Sequence, residues 1–365
     1  MPLSPPKVFR YQLNHKLRSA VRCVMGVITR RQEQQQLNLY NERLKKILIV
    51  RATFRMGDSL LAIPAIFSFR KHFPEARIDF VGAPISAELF KNLPIDNVFT
   101  ITRRYPGSAL DYPLLLRRLR SFGYDLAVDV SCSHSGMGSF LVGFSAARIR
   151  VGLKGKWDQW FNVRIDKESE INKYRTLPNF LRSLGLDSAS SVPSLGLSTF
   201  EIEYGRGKLR SFVNSNPGKR IVGVFVGGRK SWGKRWPARN FCEVITALHR
   251  QGIKVVTFVG PEENDLVGYL RDALDSNIPV VFEASPRKFA AMVSNYDLFV
   301  TADSGPMHMA YAVATPTVAI FQYPNFDRWG PPADSAKVVY QPGGCSPEEV
   351  LRICREELAR RDFAA

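Results

Sequence analysis

Four short segments of this chain hold side chains able to move a proton or to gather phosphate oxygens. The first is Arg51-Ala52-Thr53-Phe54-Arg55-Met56-Gly57-Asp58. Gly57 permits a tight turn, and Asp58 falls where a helix begins, so its carboxylate lies at the positive end of that helix. Two uses fit: a general base for an attacking hydroxyl, or an N-cap, the commoner role for Asp at a helix start. The second is Gly227 to Pro237, where Arg229, Lys230, Lys234 and Arg235 surround Ser231. It lacks the GxxxxGK[ST] order of a P-loop. Its glycine N–H groups and cations can still hold a phosphate. The third is Thr301 to Ala310, containing Asp303-Ser304-Gly305-Pro306-Met307-His308. Ser304 reads as an N-cap with Pro306 in the first turn, Gly305 admits a ligand close to the backbone, and the helix N-terminus attracts phosphate. His308, one turn in, is either a donor to that phosphate or a half-buried histidine satisfied by the protein. In the fourth, Gly260-Pro261-Glu262-Glu263-Asn264, the acids can accept from ribose hydroxyls or simply complement a helix dipole.

These segments follow strands. Ile47–Val50 is a continuous apolar run, the similar runs Ile78–Val81, Val98–Ile101 and Leu126–Val130 are mainly apolar, and runs of this kind suit strands buried on both faces of a parallel sheet. Helical segments, Leu60–His72 and Leu110–Phe122, alternate with them. Pro64 either kinks the first of these or starts its regular part. After a Ser-, Gly- and Pro-containing stretch, Leu186 to Thr199, the rhythm restarts. Ile221–Val226, Val255–Val259, Val280–Val281, Leu298–Thr301 and Thr317–Phe321 read as strands; Asn240–Gln251, Glu262–Leu274 and Met307–Val313 read as helices. Ser346-Pro347-Glu348-Glu349 starts a last helix, running to about Arg361. The fold class is α/β: two Rossmann-like, doubly wound halves with ligands beyond the carboxyl ends of the strands, in a cleft between them.

The chain has 365 residues and a formal net charge of +18. Residues 1–46 carry ten of the basic side chains and only Glu33 and Glu42 as acids. Leu13, Leu17, Val21, Val24 and Ile28 recur there at helical spacing. A basic amphipathic helix of this kind either binds an anionic inner-membrane surface or is a solvated or docked arm. No apolar run reaches the ~18–20 residues of a membrane span. Scattered cysteines without a CxxC pair argue against a disulfide scaffold and for a cytoplasmic protein. Histidines without HxxxH spacing and aspartates without D-x-D spacing give no local support for a metal site. The missing GxGxxG weakens a dehydrogenase reading. The charge alone is thin support for nucleic acid, for which no recognition motif is present.

The segments ILIVRATFRMGDSLLAIPAIFSFRKHFPEARIDFVG, KRWPARNF and DSGPMHMAYAVATPTVAIFQ, in this order, resemble glycosyltransferase family 9, the lipopolysaccharide heptosyltransferases. The likeness covers about residues 46–361. It implies a GT-B architecture: a basic extension over 1–45, an acceptor-binding domain over 46–190, a donor-binding domain over 191–345, and a final helix over 346–365 that returns to the first domain. It also implies inverting, metal-independent transfer, without a cofactor, of a heptose or related sugar from an ADP-sugar donor to a lipopolysaccharide core or other surface glycan. The acceptor would be an anionic glycolipid, met at the inner face of the inner membrane. By position the resemblance makes Asp58 the base; Arg55 and Gly57, in the same turn, are assigned to the acceptor, although Phe54-Arg55 departs from the small polar residues that many members have there. Lys234, with Arg229 and Ser231, takes the donor diphosphate together with Ser304, Gly305, Pro306, Met307 and His308. Glu262 or Glu263 and Asp303 face the nucleoside and sugar. A non-catalytic sugar-nucleotide or glycan-binding protein of the same fold is the alternative.

Overall fold

A computed structural model describes residues 38–39, 42–102, 107–187, 192–213, 220–228, 233–333 and 336–362. The proposed N-terminal amphipathic helix lies outside the described residues. The first half runs β1 (Lys46–Val50), α1 (Met56–Leu60), α2 (Ile63–His72), β2 (Arg77–Gly82), α3 (Pro84–Leu89), β3 (Asn97–Thr100), α4 (Gly107–Ser121), β4 (Leu126–Asp129), α5 (Gly136–Phe144), β5 (Ile149–Leu153), β6 (Val163–Ile165) and α6 (Lys173–Arg182). The second runs α7 (Thr199–Val213), β7 (Ile221–Phe225), α8 (Ala238–Arg250), β8 (Lys254–Val259), α9 (Val267–Ala273), β9 (Val280–Phe282), α10 (Pro286–Val293), β10 (Leu298–Ala302), α11 (Gly305–Ala312), β11 (Thr317–Phe321), α12 (Phe326–Trp329), β12 (Ala336–Tyr340) and α13 (Pro347–Asp362).

Among the described residues the strands form two parallel sheets, β3-β2-β1-β4-β5-β6 and β12-β11-β10-β7-β8-β9. Both follow one doubly wound order, so each has a switch point: β1 beside β4 in one, β7 beside β10 in the other. Loops diverge there and leave a crevice at the carboxyl ends. Most strands are buried on both faces, which is why they read as mainly apolar runs, with Asp79 of β2 and Asp129 of β4 as buried polar exceptions. In β1, Ile47 and Ile49 enter one core while Leu48 and Val50 enter another. The first of these cores is shared by both halves and also takes Val256 and Phe258 of β8 and Phe299 of β10. Each such aliphatic or aromatic side chain contributes about 1.5–3 kcal/mol by leaving water.

Pro64 starts α2 instead of kinking a longer helix, because α1 has ended before it. Three strands do not read as apolar runs. β5 carries the buried Arg150, whose guanidinium donates to the carbonyls of Trp160 (2.9 Å) and Ala147 (3.0 Å), and Gly152, against which Phe161 packs. β6 is a short edge strand, and β12 contains Lys337. The last helix starts as expected, with Ser346 Oγ accepting the N–H of Glu349 at 3.3 Å. Its position corrects the expectation of a return to the first domain: α13 packs on α8, β10 and β11. Val350, Cys354 and Leu358 fill the second half's own core.

The halves are tied by Arg287 of α10, which is 4% exposed. Its guanidinium donates to Leu89 O of the first half (2.7 Å), to Gly196 O of the connection (3.1 Å) and to both oxygens of Glu201 (2.5 and 2.8 Å). Among the described residues no helix is long and apolar enough to cross a membrane.

Candidate active site

The carboxyl ends of the two sheets face one cleft of about 540 Å³. From the first half it is lined by Arg55, Met56, Gly57 and Asp58. Arg51, the first residue beyond β1, is buried. It donates through Nη1 to Val130 O beyond β4 (2.7 Å) and through Nη2 to Asp58 Oδ1 (3.2 Å). Thr53 Oγ1 donates to Asp58 Oδ2 at 3.2 Å. The switch point between β1 and β4 thus aims one carboxylate, its side chain 16% exposed, at the cleft. The N-cap use of Asp58 is set aside: Arg55 occupies the cap position of α1, and that cap has no side-chain bond.

The second half supplies the opposite wall. α11 begins at Gly305 behind Ser304, which holds the cap position without capping. The Ser304 hydroxyl instead pairs with Thr301 Oγ1 at 3.1 Å, leaving the first N–H groups of the helix to a ligand. Pro306 has no N–H, so the donors of this turn are the backbones of Gly305 and Met307. The Met307 side chain is buried in the core with Ala319 and Phe321. Lys234 Nζ pairs with Asp303 Oδ2 and lies 5.9 Å from the Trp329 ring centre. Asn325 Nδ2 donates to the same Asp303 oxygen at 3.2 Å. Asp303 therefore orients the lysine that its own loop faces.

The two lips meet closely. A Cβ on Gly57 would lie 2.4 Å from Cδ2 of His308. His308 is 5% exposed, and its Nδ1 is bonded to Tyr174 Oη. Burial lowers its pKa to about 4, outweighing the nearby Asp303 and Asp58, so the imidazole is neutral near pH 7.

Glu262 and Glu263 part company. Glu263 is buried and accepts from the N–H groups of Gly228 (3.1 Å) and Gly260 (3.0 Å) and from Arg235 Nη2 (3.4 Å). Burial raises its pKa against these partners. It braces the loops after β7 and β8, where Gly228 adopts φ +146°. Glu262 is exposed at the cleft mouth. Arg229 and Ser231 lie outside the described residues. Among the described residues no three His, Cys, Asp or Glu side chains converge to hold a metal ion.

Sequence reasoning missed Arg51, Thr53, Tyr174, Asn325 and Trp329. Only Arg51 carried a signal: a cation directly after an apolar strand at the first turn.

Two doubly wound domains facing a shared cleft define the GT-B class of glycosyltransferases. The chain belongs to one family within it: the model for glycosyltransferase family 9 (heptosyltransferase) matches residues 114–358. Lipopolysaccharide heptosyltransferase 3 of Escherichia coli is 27% identical over 292 residues, covering 75% of this chain and 83% of its own. The glycosyl transferase family 9 structure from Veillonella parvula superposes with a TM-score of 0.76 at 21% identity, over 87% of this chain and 97% of that one. E. coli heptosyltransferase WaaC, solved with ADP, gives 0.69 at 18% identity, over 86% and 99%.

Proposed function

We propose that the chain transfers a heptose from an ADP-heptose donor to a sugar hydroxyl of a lipopolysaccharide core acceptor, by one displacement that inverts the anomeric carbon and uses no divalent cation. The observation that carries this is Asp58, held by Arg51 and Thr53 on one lip of a cleft whose other lip carries Lys234 and the N-terminus of α11. Asp58 takes the proton of the acceptor hydroxyl as its oxygen attacks. Attack and departure lie on opposite faces, which gives inversion. Lys234 and the N–H groups of Gly305 and Met307 receive the charge developing on the leaving diphosphate. The His308 Nε2–H donates to the same group.

The base fits among Phe225, Val259, Pro261 and Phe289, with Glu262 and Glu283 at hand for the ribose hydroxyls. Arg55, exposed at the other lip, suits an anionic group of the acceptor. The activities for which the relatives are named, and the ADP held by WaaC, support the donor and acceptor classes. The basic residues 1–46 bring the enzyme to the anionic inner face of the membrane.

The test is purified full chain with ADP-heptose and a heptose-deficient lipopolysaccharide core. An added heptose of inverted configuration, formed equally with EDTA present, is expected. Retained configuration, or activity lost to EDTA and restored by magnesium, overturns the mechanism. No transfer to any core acceptor overturns the reading.

A further inference from the structure

We propose that Tyr174 is a positioning residue: its hydroxyl fixes His308 as an Nε2–H donor aimed into the cleft, a role that rests on the reading of His308 as a donor-phosphate contact. Tyr174 sits in the first turn of α6, which packs on α2 of the first half, whereas His308 belongs to α11 of the second. The hydrogen bond between Tyr174 Oη and His308 Nδ1 therefore spans the junction of the halves. A second link pins the same helix start. Asn172 accepts the Tyr174 N–H at 3.0 Å and donates to the carbonyls of Asp327 and Gly330, both at 3.1 Å.

Which imidazole nitrogen carries the proton is set by the partner of the other one. Burial holds the Tyr174 phenol well above its ordinary pKa, so it stays O–H. Burial also keeps His308 neutral. Among the described residues the buried Tyr174 hydroxyl has no other acceptor, so its O–H donates to Nδ1 and the imidazole proton is left on Nε2. Among the described residues Nε2 has no protein partner, and His308 lines the cleft. The ring cannot turn over freely. Gly57 lies against Cδ2, Trp329 packs edge-on with ring centres 6.3 Å apart, and Tyr174 is itself held edge-on by Tyr311 at 4.9 Å. The donor that meets the leaving group is thus set by a residue of the other half, and the tautomer is correct only when the halves are juxtaposed as they are here.

Tyr174→Phe keeps the ring and removes only the hydroxyl. In the full chain carrying ¹⁵N-histidine, long-range proton–nitrogen correlation at neutral pH reads the tautomer, with His308→Gln assigning the signal. The wild type is expected to carry the proton on Nε2 and Tyr174→Phe to show a mixture. In steady-state transfer assays, Tyr174→Phe is expected to lower kcat about 10–100-fold, the scale found for the outer hydrogen-bond partner of a metal-bound imidazole and taken here by analogy, with the acceptor KM unchanged. In a His308→Ala background the same change is expected to cost less than about twofold, since coupled residues are not additive. An unchanged tautomer in Tyr174→Phe, or an equal loss in both backgrounds, overturns the proposal. So does a wild-type His308 protonated on Nδ1, which decides the matter even if the variant does not fold. The tautomer is read without turnover, so a chain that transfers no heptose would sink the functional reading while leaving this result standing.

Discussion

Gly57→Ala is the smallest change that drives the two lips of the cleft apart. The added Cβ would lie 2.4 Å from Cδ2 of His308 and 3.2 Å from its Cγ and Nε2. An ordinary contact needs roughly 1 Å more, and overpacking of this kind costs typically 1–3 kcal/mol. The neighbours cannot give cheaply: the imidazole is bonded to Tyr174 and backed by Trp329. The backbone at residue 57 is not itself strained, since Gly57 is absent from the positive-φ glycines. The strain therefore goes into moving α1, with Asp58, relative to α11. A misplacement of about 1 Å at a reacting centre can cost on the order of 10²-fold in rate. The assay is kcat for heptose transfer beside a thermal melt of the same preparation. A kcat reduced about 100-fold in a protein that remains folded is expected. A Gly57→Ala enzyme with kcat within twofold of wild type would refute the claim that the lips meet here and position the base.

Lys234→Met should weaken ADP binding about 10–100-fold, the value of a charge-assisted hydrogen bond of roughly 1.5–3 kcal/mol, and it also leaves the Asp303 carboxylate facing the diphosphate; calorimetry checks it. Glu201→Ala strands the buried Arg287 guanidinium and should lower stability by about 3 kcal/mol in denaturant titration. The Arg287 hydrogen bond holds the Glu201 pKa down at about 2, so its contribution is present above the ordinary carboxylate range and is lost as pH falls toward 2. His308 shows linkage of the same sign at higher pH, for its folded pKa of about 4 lies below the unfolded value and the unfolded chain binds the extra proton between them. Stability should therefore fall as pH drops from about 6.5 to 4, by on the order of 3 kcal/mol. Asp129, raised by burial to about 6, acts in the opposite sense across part of that window. The wild-type-minus-His308→Gln difference isolates the histidine, and a difference flat in pH would contradict its burial as a neutral ring.

Much of the fold was legible because strands buried on both faces are mostly apolar. β1, β2, β4, β7, β8, β10 and β11 announce themselves in this way. β5 did not, since its Arg150 is satisfied by carbonyls that only the folded chain brings near. The start of α13 was legible from its cap. Its docking surface was not, because Val350, Cys354 and Leu358 mark an apolar face without naming the core that receives it. At the site, local spacing placed Asp58, Lys234 and the α11 turn. It left Asp58 divided between cap and base, because the deciding partners, Arg51 and Thr53, act through the loop's three-dimensional path. Spacing could not separate Glu262 from Glu263, one at the mouth and one folded inward on Gly228 and Gly260. Tyr174 left no trace at all: it reaches His308 from 134 residues away, outside every motif.

The central claim is that one carboxylate activates the acceptor while the opposite lip holds the donor. Asp58→Asn keeps the shape of the side chain and removes its capacity to take a proton. We predict that kcat falls about 10²–10⁴-fold, the range for loss of a general base, while the ADP affinity measured on the same sample stays within about twofold of wild type. Turnover by Asp58→Asn at the wild-type rate would contradict the account.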